Sequence, residues 1–335
     1  MTMRRSLLMA ASVALAIVLI VLFIKLGKID LRLTLQQLMS VSLVDFAKIL
    51  VLNAVMIFLS TEKWRSIDAA WRRPTDSVPS RTTSYALTSI GLAMGILLPL
   101  QLAMAAARTV GTYVHGGALK RGTAGTLLEQ GFDVYAVGFL ALASGITWST
   151  HGGAETWAIS ASASIVLALL AVEPAVRITR WLAGRWKAPT AGPFNRTLRS
   201  VWELQHSGVL NAGLARRLVV LSVLRTGTVV LMSIQTAEAV KLQIPFWRMA
   251  AAIPFVSVAN IVALTPGGLG LNDLAGAGAL DLFGTPFAIG AQWVLANRVL
   301  VTVSYLLVAA CAAILLSAEK IARPGAGNAV REDSQ

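Results

Sequence analysis

The sequence predicts an all-α, polytopic helical membrane bundle. Three observations predict it. Of 335 residues, 56% are hydrophobic and only 13% are charged, whereas a soluble domain carries about 25% charged residues. Mean hydropathy is +0.69. The apolar residues also come in long runs, at 7–24, 43–60, 84–107, 126–147, 157–176, 218–238, 249–284 and 287–316, most of them close to the ~20 residues a crossing helix needs. Helix is the expected state throughout, because an isolated strand in lipid leaves its backbone groups without hydrogen bonds.

The run 7–24 comes after Arg4 and Arg5 and ends at Lys25 and Lys28 with no small-x-small cleavage site, so a retained first helix is expected. Loop charge orients the later runs, because Lys and Arg concentrate on the cytoplasmic side. Loop 148–156 has neither and is expected outside. The stretch 177–217 carries Arg177, Arg180, Arg185, Lys187, Arg196, Arg199, Arg216 and Arg217, and is expected to be cytoplasmic. Loop 108–122, with Arg108, Lys120 and Arg121, and loop 61–83, with Lys63, Arg65, Arg72, Arg73 and Arg81, are expected on that side too.

Both flanks of 84–107 then lie on one side. This run is expected to dip in and return as a re-entrant hairpin, broken at Pro99 in "GILLPLQLAM". The run 249–284, with Pro254, "LTPGGLG" at Leu264–Gly270 and a closing "FGTP", is expected to be a second one. The resulting order is two spans, one hairpin and one span, then the same series again. Six spanning helices and two re-entrant hairpins form an inverted repeat with both termini cytoplasmic; eight ordinary spans is the alternative. Residues 1–320 read as one membrane domain. Residues 185–215, basic with Trp186, Phe194 and Trp202, read either as an interfacial amphipathic helix or as a plain loop. Residues 321–335 read as a disordered cytoplasmic tail.

Composition narrows the chemistry. Net charge is +13, but the basic residues sit in short loops suited to anionic headgroups, without the interleaved aromatics of a nucleic-acid platform. Cys311 is the single cysteine, so no intrachain disulfide is available. His115, His151 and His206 are scattered and no Cys/His metal spacing occurs, so neither metal nor cofactor is expected. The nucleotide-binding GxxxxGK[ST] pattern is absent.

Charge within apolar runs marks the candidate site. "TPGGLGLND", Thr265 to Asp273, places Gly267, Gly268 and Gly270 beside a proline. Such backbone persists at membrane depth only where protein buries it or a cavity borders it. A helix starting near Leu271 would offer free amides to an anion, with Asp273 in its first turn; a tight turn with an acidic cap is the plainer alternative. Glu129 and Asp133 are four residues apart and share a helix face. Arg225 and Arg298 lie within apolar helices. The simplest arrangement pairs these arginines with Glu129, Asp133 and Asp273 around a polar cavity; ion pairs that only fix helix register are the alternative. Arg108 reads either as a contact to lipid phosphate or as an inner-face anchor. Asp45 and Lys48 read as a local pair, and Gly91 with Gly95 as a close-packing GxxxG.

These segments resemble the lysylphosphatidylglycerol synthase transmembrane region, or flippase-like domain, family. "TPGGLGLNDLAGAGALDLFG" followed by "VLANRVL" is similar to its PGGLG turn, with the adjoining carboxylate at Asp273 and the membrane arginine at Arg298. "LLEQGFDVYAVGF" resembles its acidic segment at Glu129 and Asp133, and "LLPLQLAMAAAR" its first hairpin at Pro99 and Arg108. The chain departs from the family pattern at Gln101, Ala103 and Met104, which replace the polar and basic residues usual after the first proline, and at Asn272, where a basic residue is common. The resemblance implies a lipid-translocating or lipid-handling membrane domain without the soluble lysine-transferring domain, so synthase activity is not expected. A flippase-like transporter binding an anionic or phosphate-bearing lipid headgroup in the cell membrane is the expected function; an intramembrane transferase acting on a phospholipid or polyprenyl-phosphate, and a non-catalytic subunit of an envelope glycan or lipid pathway, are the alternatives. A homo-oligomer and envelope-biosynthesis partners both stay open.

Overall fold

A computed structural model describes residues 18–19, 21–27, 30–71, 79–114, 119–185, 210–262 and 265–322. Most of the first apolar run, residues 186–209 of the basic segment, and residues 323–335 of the expected tail lie outside the described residues. Among the described residues every regular element is helical. The elements are α1 Leu31–Met39, α2 Leu43–Trp71, α3 Arg81–Met94, α4 Leu100–Val114, α5 Leu119–Ser149, α6 Ala154–Arg185, α7 Ala212–Ala239, α8 Phe246–Val262, a 3₁₀ turn at Pro266–Gly268, α9 Leu271–Leu282 and α10 Phe287–Ala322.

Among the described residues five helices, α2, α5, α6, α7 and α10, are long and apolar enough to cross a membrane. They match five of the six expected spans; the sixth is the N-terminal run. Their outer faces carry exposed aliphatic side chains such as Leu170 and Ile314, both 68% exposed, the surface that lipid requires. The protein is therefore a multi-pass membrane protein.

The two broken runs behave differently. The first divides into α3, of 14 residues, and α4, of 15. At 1.5 Å per residue each reaches only about 22 Å, short of the ~30 Å hydrocarbon core. The second divides into α8, of 17 residues, and α9, of 12. The breaks fall at Gly95–Pro99 and around Pro266–Gly270. Pro254 does not break α8, and Pro174 lies inside α6; neighbouring helices let membrane helices tolerate such prolines. Two hairpins thus stand where the sequence placed them.

One boundary is corrected. The apolar run 43–60 was expected to give way to a cytoplasmic loop, but α2 continues to Trp71. Its last third is polar yet contains neither Gly nor Pro, and Glu, Lys and Arg are good helix formers. Lys63 and Arg65 are consequently helix residues, not loop charges. The loop 108–122 shortens similarly, since α4 runs to Val114 and α5 begins at Leu119.

The halves answer each other element by element: α2, α3, α4 and α5 correspond to α7, α8, α9 and α10. Among these eight helices the packing is unchanged when the halves are exchanged. α2 packs on α7 at the centre, α3 packs on α10 as α8 packs on α5, and each hairpin packs on the next span in the chain. An inverted repeat produces this pattern.

The two hairpin tips meet. The Gly267 amide donates to the Leu98 carbonyl at 3.4 Å. Gly267 has φ +57°, and a Cβ there would lie 3.1 Å from the Ile96 carbonyl, so both conformation and space select glycine. Gly91 of the expected GxxxG packs its hairpin, facing Met104 and Ala107 of α4.

Close helix approach continues between α9 and α10. A Gly290→Ala methyl would lie 3.1 Å from Ala277 Cα and 3.2 Å from its carbonyl oxygen. Gly278 has nothing within 4 Å of the equivalent position. Gly290→Ala is expected to lower the melting temperature in detergent, while Gly278→Ala raises stability by about 0.5–1 kcal/mol. A Gly290→Ala protein as stable as the parent would contradict the close packing.

Candidate functional site

A cavity of about 610 Å³ lies between the halves and is bordered by both hairpins and by α2, α5, α7 and α10. Six charged side chains reach its wall: Arg108, Glu129, Asp133, Arg225, Asp273 and Arg298.

The first-half group is built on α2, α4, α5 and α7. Glu129 on α5 pairs with Arg108 on α4, and Lys63 Nζ lies 3.6 Å from the same carboxylate. Lys63 also donates to Asp133, one helical turn on. Arg225 on α7 approaches Asp133 at 3.7 Å and donates through Nε to the Ser60 hydroxyl at 3.0 Å. Lys63 further reaches Ser222 at 3.3 Å. The Arg108 guanidinium stands 5.6 Å from the Trp64 ring centroid, a second favourable setting for a buried cation.

The second-half group is the Asp273–Arg298 pair. Arg298 donates to Asp273 Oδ1 through Nη2 at 2.7 Å and Nε at 3.0 Å, and to the Gly267 carbonyl at 3.1 Å. The other Asp273 oxygen accepts the Gly270 amide at 2.8 Å. The helix does begin at Leu271, as the glycines suggested, but Asp273 caps its own N-terminus. The amide expected to greet an external anion at Gly270 is taken by this carboxylate. Gly267 borders the cavity; Gly268 lies beneath the Asn272 side chain and Gly270 against Leu19.

Every expected charged residue therefore arrives at one place, though the partners differ from the simplest arrangement. Asp273 does take Arg298 and Asp133 does face Arg225, but Glu129 is held by Arg108 and Lys63. Arg108, with its side chain 1% exposed, is in the interior and anchors nothing at an outer surface. Lys63, fully buried, was missed because it looked like a loop residue. Its signal was helical spacing: Ser60, Lys63, Trp64 and Ile67 share one face once the helix is continued. Asp45 and Lys48 form the local pair expected, at 3.0 Å.

Charge does not balance. Lys63, Arg108 and Arg225 face two carboxylates, while Arg298 and Asp273 balance, so one positive charge is left over. Lys63 and Arg108 are enclosed, whereas the Arg225 and Arg298 side chains are 25% and 26% exposed. These two can meet a ligand without leaving their partners.

A family model described as the lysylphosphatidylglycerol synthase TM region matches residues 9–317. The chain belongs to that family. No curated protein matches it. Membership in the lysylphosphatidylglycerol synthase transmembrane-region family covers both hairpins, all five described spans and every charged residue of the cavity. It fits a membrane protein of lipid or envelope pathways.

In this family member Lys63 is the only buried cation that touches both Glu129 and Asp133 among the described residues. Lys63→Met should destabilise the protein by about 3–5 kcal/mol, because it removes one partner of a buried ion pair and leaves Asp133 with only the more distant Arg225. Lys63→Met with Asp133→Asn should recover part of that loss. Thermal unfolding in detergent measures both, and an undiminished melting temperature in Lys63→Met would show that the pair is dispensable.

Proposed function

We propose that this protein is a flippase-like transporter that carries an amphiphile with an anionic or phosphate-bearing headgroup between leaflets. The observation that supports it most is the cavity itself. Its volume of about 610 Å³ lies within the roughly 300–1,000 Å³ typical of ligand sites. It joins two half-open arginines to apolar walls such as Leu92, Ile96 and Val229. A headgroup would sit against Arg225 and Arg298 while its tails stay in lipid, and the surplus positive charge favours phosphate.

The carboxylates are each held by a cation, so they act as counterions that position arginines. This favours transport over acid–base transfer chemistry. The correspondence of the two halves supports rocking of one against the other around a central site. We place the protein in the cell membrane with both termini cytoplasmic, on the basic residues Arg177, Arg180, Arg185, Arg216 and Arg217 around the α6–α7 connection.

Proteoliposomes containing a headgroup-labelled anionic phospholipid test this. The parent protein should equilibrate label between leaflets. Asp273→Asn should slow that by about tenfold or more, since it frees the Arg298 charge within the site, with normal insertion and monodisperse elution. A new lipid species in the extract would make the protein a transferase; neither movement nor conversion would make it a non-catalytic subunit.

A further inference from the structure

Beside the two half-open arginines the cavity wall carries neutral amides. Gln101 stands at the start of α4, Asn272 at the start of α9, Asn260 near the end of α8, and Asn297 immediately before Arg298 on α10. Asn272 is 9% exposed. Its side-chain amide donates to the side-chain oxygen Oδ1 of Asn260, while its own Oδ1 accepts from nothing. Asn297 Oδ1 is likewise buried without a donor. Gly268 makes room for Asn272, because a Cβ at that position would collide with the Asn272 amide nitrogen.

A buried acceptor without a donor costs about 1–3 kcal/mol. Two of them on one cavity wall define what a bound headgroup should bring: hydrogen-bond donors. Hydroxyls and ammonium groups both qualify. Charge decides between them, since Asn272 adjoins Asp273, whose charge Arg298 cancels, and the other carboxylates at the cavity wall are each already held by a cation. An ammonium would find no unpaired carboxylate there, whereas a hydroxyl needs none and can also accept from the Asn297 amide.

The geometry points to a second subsite, formed by Asn260, Asn272 and Asn297, for the hydroxyl groups of an uncharged polyol or sugar headgroup whose phosphate lies at Arg225 and Arg298. This rests on the transporter reading above and adds the headgroup class: a hydroxyl-rich lipid phosphodiester, not a cationic one. Sequence adjacency ties the subsites together, with Asn297 beside Arg298 and Asn272 beside Asp273.

Binding to the full chain in nanodiscs tests this, with three probes of matched acyl chains: phosphatidylinositol, phosphatidylmethanol and phosphatidylethanolamine. Phosphatidylinositol and phosphatidylmethanol share one phosphodiester charge and differ in headgroup hydroxyls. Phosphatidylinositol should bind about tenfold or more tightly than phosphatidylmethanol, the equivalent of one or two hydrogen bonds. Asn272→Ala and Asn297→Ala should each bring its affinity down toward that of phosphatidylmethanol. Unchanged phosphatidylmethanol binding in those variants shows that they fold. Equal binding of inositol and methanol lipids by the parent protein would overturn the polyol subsite and leave the anionic-lipid reading standing. Tighter binding of phosphatidylethanolamine would overturn it in favour of an ammonium headgroup. No binding of any probe would overturn both readings.

Discussion

An ionised side chain in hydrocarbon has to find a counter-charge, and the rest of this structure depends on that. Lys63, Arg108, Glu129 and Asp273 are almost wholly enclosed and Asp133 is largely so, and none could stay charged alone. Each ion pair joins separate helices: Arg108 ties the first hairpin to α5, Arg298 ties the second hairpin to α10, and Lys63 and Arg225 bind α2 and α7 to α5. The charges that mark the cavity are thus also the fastenings that hold its walls.

Backbone obeys the same constraint. A broken helix exposes amides and carbonyls that lipid cannot satisfy. Both hairpin breaks are placed where protein groups answer them: Leu98 accepts from Gly267, Arg298 takes the Gly267 carbonyl, and Asp273 takes the Gly270 amide. The tips therefore meet at the middle of the molecule and border the cavity that their irregularity makes room for.

The exchange of halves is close in packing but not in charge. In the first half the hairpin carries the cation, Arg108, and the next span the acid, Glu129. In the second the hairpin carries the acid, Asp273, and the span the cation, Arg298. Opposed halves of one scaffold thus present differently arranged charge to a single cavity. Arg108 is sealed against Trp64 and Glu129 while Arg298 keeps an open face.

Local chemistry made much of this legible in advance. Hydropathy marked the spans because a lipid-facing surface must be apolar over a fixed thickness. Proline and glycine marked the hairpin breaks because they act on their own backbone, as at Pro99 and Gly267. Charge inside apolar runs picked out Asp273, Arg298, Glu129, Asp133 and Arg225. The tertiary structure alone decided what hydropathy cannot measure: that α2 runs past Ser60 with Lys63 enclosed, that Arg108 belongs to the interior, and that Asn272 and Asn297 keep unpartnered oxygens at the cavity. A charged or amide side chain at a helix end is equally at home in solvent or against a buried partner. Only the packing of distant helices settles which it meets.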